Sequence, residues 1–125
     1  MYAVRLADAA RADIAAILSV SEYEFGQRAR LRYELLLASA LDALQIDPRC
    51  AGVQDRPEIG PGVQTFHLIH VRKKARSELG WVRRPRHLLV FRIDEPGLIV
   101  VGRVIHDAME LALHVPVELS GNFDT

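Results

Sequence analysis

Along the first third of the chain, apolar positions recur at helical spacing. Ala10, Ile14, Ile17, Leu18 and Phe25 lie along one side of a helix that opens at Ala7-Asp8, after a short β-prone stretch from Tyr2 to Leu6. Asp8 suits the positive end of that helix's dipole, with Asp13 in its first turns. Gly26 breaks the pattern and predicts a tight turn. A second helix then runs from about Gln27 to Ile46, with Ala29, Tyr33, Leu36, Leu37, Ala40 and Leu44 as its apolar stripe and Arg28, Arg32 and Glu34 on the wet side. Two helices joined this closely form an antiparallel hairpin, whose apolar face must rest on another element.

From Asp47 to Gly62 the chain holds Pro48, Gly52, Pro57, Gly60, Pro61 and Gly62, a density of breakers that predicts one surface loop without regular structure. Beyond it the period becomes strand-like: Val63–Val71, Arg86–Ile93 and Leu98–His106 are the expected strands. Pro96-Gly97 predicts a type II turn between the last two, hence an antiparallel hairpin. Leu88 to Ile93 and Ile99 to Val101 are so continuously apolar that both strands should be central and covered. Ala75 to Leu79 suits one helical turn ended by Gly80, and Asp107 onward a short terminal helix stopped by Pro116. The expected fold is α+β: an N-terminal strand and an α-helical hairpin packed on a small antiparallel sheet, with a short C-terminal helix. Residues 1–116 form a single domain in this reading, and 117–125 a tail.

Composition narrows the function classes. The chain has 125 residues, half of them hydrophobic, enough for one core. No apolar run reaches the roughly 18 residues that would span a bilayer. The start, Met1 to Leu6, lacks the pattern of a secretory signal and reads as a strand. Cys50 is the only cysteine, which rules out an internal disulfide and fits a reducing cytoplasm. Net charge is zero, but its distribution is uneven. Residues 63–106 carry nine bases against three acids, an excess of six, and four of the five histidines. One basic half suits an anionic partner, either nucleic acid or an acidic protein segment.

Chemical motifs are sparse. Gly60-Pro61-Gly62 lacks the Lys-Ser/Thr of a phosphate loop, and there is no nucleophile elbow. His67 and His70, three apart in an expected strand, should face opposite ways and share no metal. No cofactor is implied. The candidates for partner binding are Trp81, Arg83, Arg84, Arg86, His87, Arg92, Arg103, His106 and Met109. Most have a plainer reading. Trp81 can fill the core, Arg83, Arg84 and Arg86 can be solvated, and His106 can cap the last helix. Arg103 alternates with Val101 and Ile105 and can pair with an acid such as Glu110, and Met109 can belong to the core.

The run from Gly80 to Ile93, followed by Ile99 to Pro116, resembles the ParE toxins of the ParE/RelE superfamily. The matching positions are Arg92, Arg103, His106, Met109, Glu110 and His114. The opening also fits, with Ala12-Asp13-Ile14 at a helix start and Glu24-Phe25-Gly26 before the second helix. The resemblance implies a cytoplasmic plasmid-stabilisation toxin, silenced by a ParD-like antitoxin with an acidic C-terminal segment. It also implies that the free toxin inhibits DNA gyrase by binding protein rather than by catalysis, without direct sequence-specific contact to nucleic acid. The superfamily's RelE-type ribosome-dependent mRNA endonucleases supply the alternative. Arg92, Arg103, His87 and His106 offer suitable groups for RNA cleavage. The Tyr usual near the C-terminus of those enzymes is absent, since Tyr2, Tyr23 and Tyr33 all lie in the N-terminal third. A toxin fold retired to a purely binding role is the third reading.

Overall fold

The computed structural model of the protein describes residues 1–109. The chain opens with β1 (Ala3–Leu6), followed by α1 (Asp8–Phe25) and α2 (Gln27–Ile46). A single residue, Gly26, joins the two helices. Its φ of 94° and ψ of 173° lie in a region that side chains disfavour, and its N–H donates to the Glu22 carbonyl. The segment predicted to be all loop contains a short strand, β2 (Val53–Asp55). It pairs antiparallel with β3 (Val63–His67), Val53 opposite Phe66, so its backbone groups are satisfied despite the flanking breakers.

β3 (Val63–His67) is shorter than predicted, because Leu68–Val71 turns into a 3-10 helix. The His67 side chain caps that turn by accepting from the Ile69 N–H at 3.0 Å. His70 therefore does not alternate with His67 along a strand; it stacks on Phe66. Ser77 and Gly80 form an isolated bridge where a helical turn was expected. β4 (His87–Asp94) and β5 (Leu98–His106) form the predicted antiparallel hairpin. Its turn is not type II. Gly97 lacks the positive φ that a type II turn needs at that position, and Asp94 pairs with Leu98 around a three-residue loop, Glu95 to Gly97.

The sheet runs β1-β5-β4-β3-β2 and is mixed rather than antiparallel. β1 lies parallel to β5, with Ala3 opposite Leu98 and Leu6 opposite Val101, because the helical hairpin serves as the crossover that parallel neighbours need. Helices on one face of a five-stranded sheet give the predicted α+β class. The expected terminal helix is not seen in Asp107–Met109, and its remainder lies outside the described residues.

The core forms between the helices and the sheet, where Leu36, Leu37, Ala40 and Leu44 meet Phe66, Leu89, Phe91, Ile99, Val101 and Val104. A smaller cluster of Val63, Leu88, Val90, Val100 and Ile105 occupies the other sheet face. β4 and β5 are thus buried on both sides, as their unbroken apolar runs require. A bulge alters the arrangement in β5. Val90 pairs with Arg103 and Phe91 with Val101, leaving Gly102 as the extra residue. The extra residue switches the strand's parity, so Val104 joins Val101 under the helices and Ile105 joins Val100 on the far face. Arg103 therefore does not share a face with Val101, contrary to simple alternation.

Candidate functional site

α1 starts beside the end of β1 and runs along β5, placing Asp13 beside Val104 and Ile17 near His106. At 18 residues, and so about 27 Å long, it continues past the end of the strand. Its last turns have no sheet beneath them. Val20 is consequently 54% exposed and Phe25 73% exposed, although Phe25 falls on the stripe predicted to be buried.

This overhang roofs a cleft of about 580 Å³. One wall comes from Ile17, Val20, Phe25 and Ala29 of the hairpin, the other from Trp81 and Val82, and Arg32, Arg83, Arg84 and Arg86 stand at its margin. His87 and His106, which pair across β4 and β5, close the inner end together with Tyr33. Six predicted partner-binding residues therefore share one cavity: Trp81, Arg83, Arg84, Arg86, His87 and His106.

The remaining three lie elsewhere. Arg92 sits toward the hairpin turn, its Nε donating to Asp94 Oδ1 at 2.9 Å. Arg103 reaches round the open edge of β5 to Asp13, with Nε–Oδ2 at 2.7 Å and Nη2–Oδ1 at 3.1 Å. The same carboxylate accepts from the Val104 N–H at 2.9 Å, so Asp13 ties α1 to the strand edge. Met109 is 42% exposed and does not line the cleft. The proposed acid for Arg103, Glu110, and the motif position His114 lie outside the described residues.

The inner end of the cleft is polar. The Tyr33 hydroxyl lies 2.6 Å from His87 Nδ1. Burial pushes the Tyr33 phenol up to about 12. Burial, reinforced by neighbouring His106, holds His87 down to about 4. A protonated phenol facing a neutral imidazole fixes the direction of the bond: Tyr33 donates and His87 Nδ1 accepts. Asp107 organises the flank. It accepts from both Nε and Nη2 of Arg86, at 3.0 and 2.8 Å, and from His67 Nε2 at 3.0 Å. The Arg86 bonds are the main reason its carboxyl is held down to about 2. His106 Nδ1 accepts from the Ala108 N–H at 3.0 Å, a turn-capping role that leaves its other nitrogen available.

Sequence reading missed Tyr33, Asp107 and Asp13 as site or tie residues. A signal existed for Tyr33, because a phenol placed on an apolar stripe needs a partner for its hydroxyl. Trp81 is neither simple core filler nor a bare anchor. The guanidinium carbons of Arg72, Arg76 and Arg83 lie 5.7, 5.9 and 5.8 Å from its ring centre. Among the described residues no group of three or more His, Cys, Asp or Glu is placed to hold a metal. Partial burial pushes the Cys50 thiol up, away from thiolate chemistry. No helix among the described residues is long and apolar enough to cross a membrane.

These features define a class: a small α+β module whose helical hairpin overhangs its sheet to make an apolar cleft with a cationic margin. The sequence profile of the ParE toxin of the type II toxin–antitoxin system parDE matches residues 4–111, and the chain belongs to that family. Membership makes it the toxin of such a system and implies an antitoxin partner. No curated protein matches the chain.

Proposed function

We propose that the cleft receives the acidic C-terminal segment of a ParD-like antitoxin, and that the toxin, once freed in the cytoplasm, inhibits DNA gyrase by binding protein rather than by catalysis. The supporting observation is the exposure of Val20 and Phe25 beside Trp81 and the unpaired Arg84 (among the described residues), an apolar trough next to positive charge. An amphipathic segment with apolar anchors and acidic neighbours satisfies both features at once. The test is to purify the chain with and without the product of the adjacent gene and measure gyrase supercoiling. Supercoiling should stop with the free toxin and return when the antitoxin is added. Full supercoiling at saturating free toxin would remove gyrase as the target.

One observation favours the nuclease as a second reading. The fold brings Tyr33 from α2 to His87 and His106, so the aromatic hydroxyl absent from the C-terminal sequence is present in space. A phenol and two imidazoles near Arg83 and Arg84 could supply proton transfer and phosphate charge. Transcripts cleaved in the ribosome fraction, and left intact by Tyr33→Phe with His87→Gln, would establish this reading in place of the first.

A further inference from the structure

Residues 72–86 hold seven bases and one acid, Glu78. Arg86 is committed to Asp107. The other six, Arg72, Lys73, Lys74, Arg76, Arg83 and Arg84, have no carboxylate partner among the described residues, and five of them are exposed. Their placement is built rather than incidental. Arg72, Arg76 and Arg83 surround the Trp81 indole, Arg72 Nη1 donates to the Arg83 carbonyl at 2.7 Å, and Arg76 Nε donates to the Lys73 carbonyl at 3.1 Å. The fold thus spends its aromatic and carbonyl contacts on holding like charges together without neutralising them.

We propose that this cluster is a second binding surface, adjoining the cleft at Arg83 and Arg84, that takes the phosphate backbone of duplex DNA without regard to sequence. Lys73, Lys74 and Arg76 do not line the cleft, so a peptide seated there leaves them uncovered. Cations this dense match a duplex, which carries one negative charge per roughly 1.7 Å of its axis, better than a peptide whose acids are spaced by whole residues. Unstacked bases of a single strand need a free aromatic face, and here guanidinium groups crowd the Trp81 ring. The choice of DNA over duplex RNA rests on the gyrase reading, since that enzyme acts on duplex DNA. The cationic surface itself does not depend on it.

The experiment uses the purified full chain and a fluorescent duplex DNA of random sequence, about 25 base pairs long, with anisotropy read in rising salt. Four to six phosphate contacts give a log–log slope of about −4 to −5, so affinity should fall on the order of 10²–10³-fold between 50 and 200 mM salt. The double variant Lys73→Glu/Lys74→Glu should lose at least about 10-fold in affinity at 50 mM salt, with an unchanged melting curve and unchanged antitoxin binding. Lys73→Gln/Lys74→Gln serves if charge reversal impairs folding. The proposal is overturned if the native chain ignores the duplex at 50 mM salt, or if the variant binds as well as the native chain. Equal competition by polyglutamate would overturn it too, as would tighter binding to duplex RNA of the same length. Gyrase inhibition is scored separately. Its absence alongside intact DNA binding would sink the target assignment and leave this surface standing.

Discussion

Asp13 shows how much one side chain can hold. Its carboxylate accepts from Arg103 and from the Val104 N–H, with both side chains largely shielded. Asp13→Ala removes a charged acceptor shared by two donors and is expected to cost about 1.5–3 kcal/mol, read from the urea midpoint. A loss under about 0.5 kcal/mol would mean that the tie is ornamental. His87 makes a prediction about pH. The unfolded chain binds a proton below the ordinary value of 6.5, while the folded chain resists protonation until about 4. Stability should therefore fall as pH drops from 6.5 to 4, and His87→Gln should flatten that stretch of the curve. Asp107 acts lower down. Its carboxyl is depressed from 3.8 to about 2, so its stabilisation is present above 3.8 and disappears as pH falls through 2. A midpoint independent of pH between 6.5 and 4 would show that His87 is not the buried neutral group described above.

At the scale of elements, the hairpin depends on Gly26. A Cβ there would meet nothing within 4 Å, so the penalty for Gly26→Ala is purely conformational, about 1–3 kcal/mol at this backbone geometry. Chemical denaturation measures it, and an unchanged midpoint would mean that the two helices can rejoin another way. The bulge at Gly102 makes a weaker demand on β5. Deleting Gly102 restores strict alternation and keeps the present facings, with Val101 and Val104 toward the helices and Arg103 and Ile105 on the far side. Cooperative unfolding, followed by circular dichroism, should therefore survive the deletion, and its loss would mean that the bend of the bulge itself is needed. The helices and the central strands were legible from periodicity, because each buries a regular stripe or both faces. β2 was not legible: three residues between breakers carry no period, and the strand exists because β3 offers it a partner.

For the whole molecule, the decisive feature is the length of α1 relative to β5. A shorter helix would close over the sheet and leave no cleft. Phe25→Asp should leave stability within about 0.5 kcal/mol, since the ring is largely exposed, yet weaken antitoxin binding by about 30-fold or more if the side chain is an anchor. Calorimetric titration of the purified pair measures the affinity, and an unaltered Kd would move the docking surface away from this end of α1. The basic half was visible as a count of charges, and Trp81, Arg83, Arg84, Arg86, His87 and His106 were identified as candidates along the chain. Their convergence on one cavity, and the separation of Arg92 and Arg103 from it, were not visible.

The order of apolar and polar residues alone determined the α+β class, the helical hairpin, the buried β4–β5 pair and the concentration of positive charge, because each depends on neighbours in sequence. Tertiary structure decided the rest: the parallel seat of β1, the parity switch at Gly102, the Tyr33–His87 contact and the pairing of Asp13 with Arg103. The last two join residues 54 and 90 positions apart. Such contacts form only once the hairpin has folded back across the sheet, and no local pattern encodes where its overhanging end comes to rest.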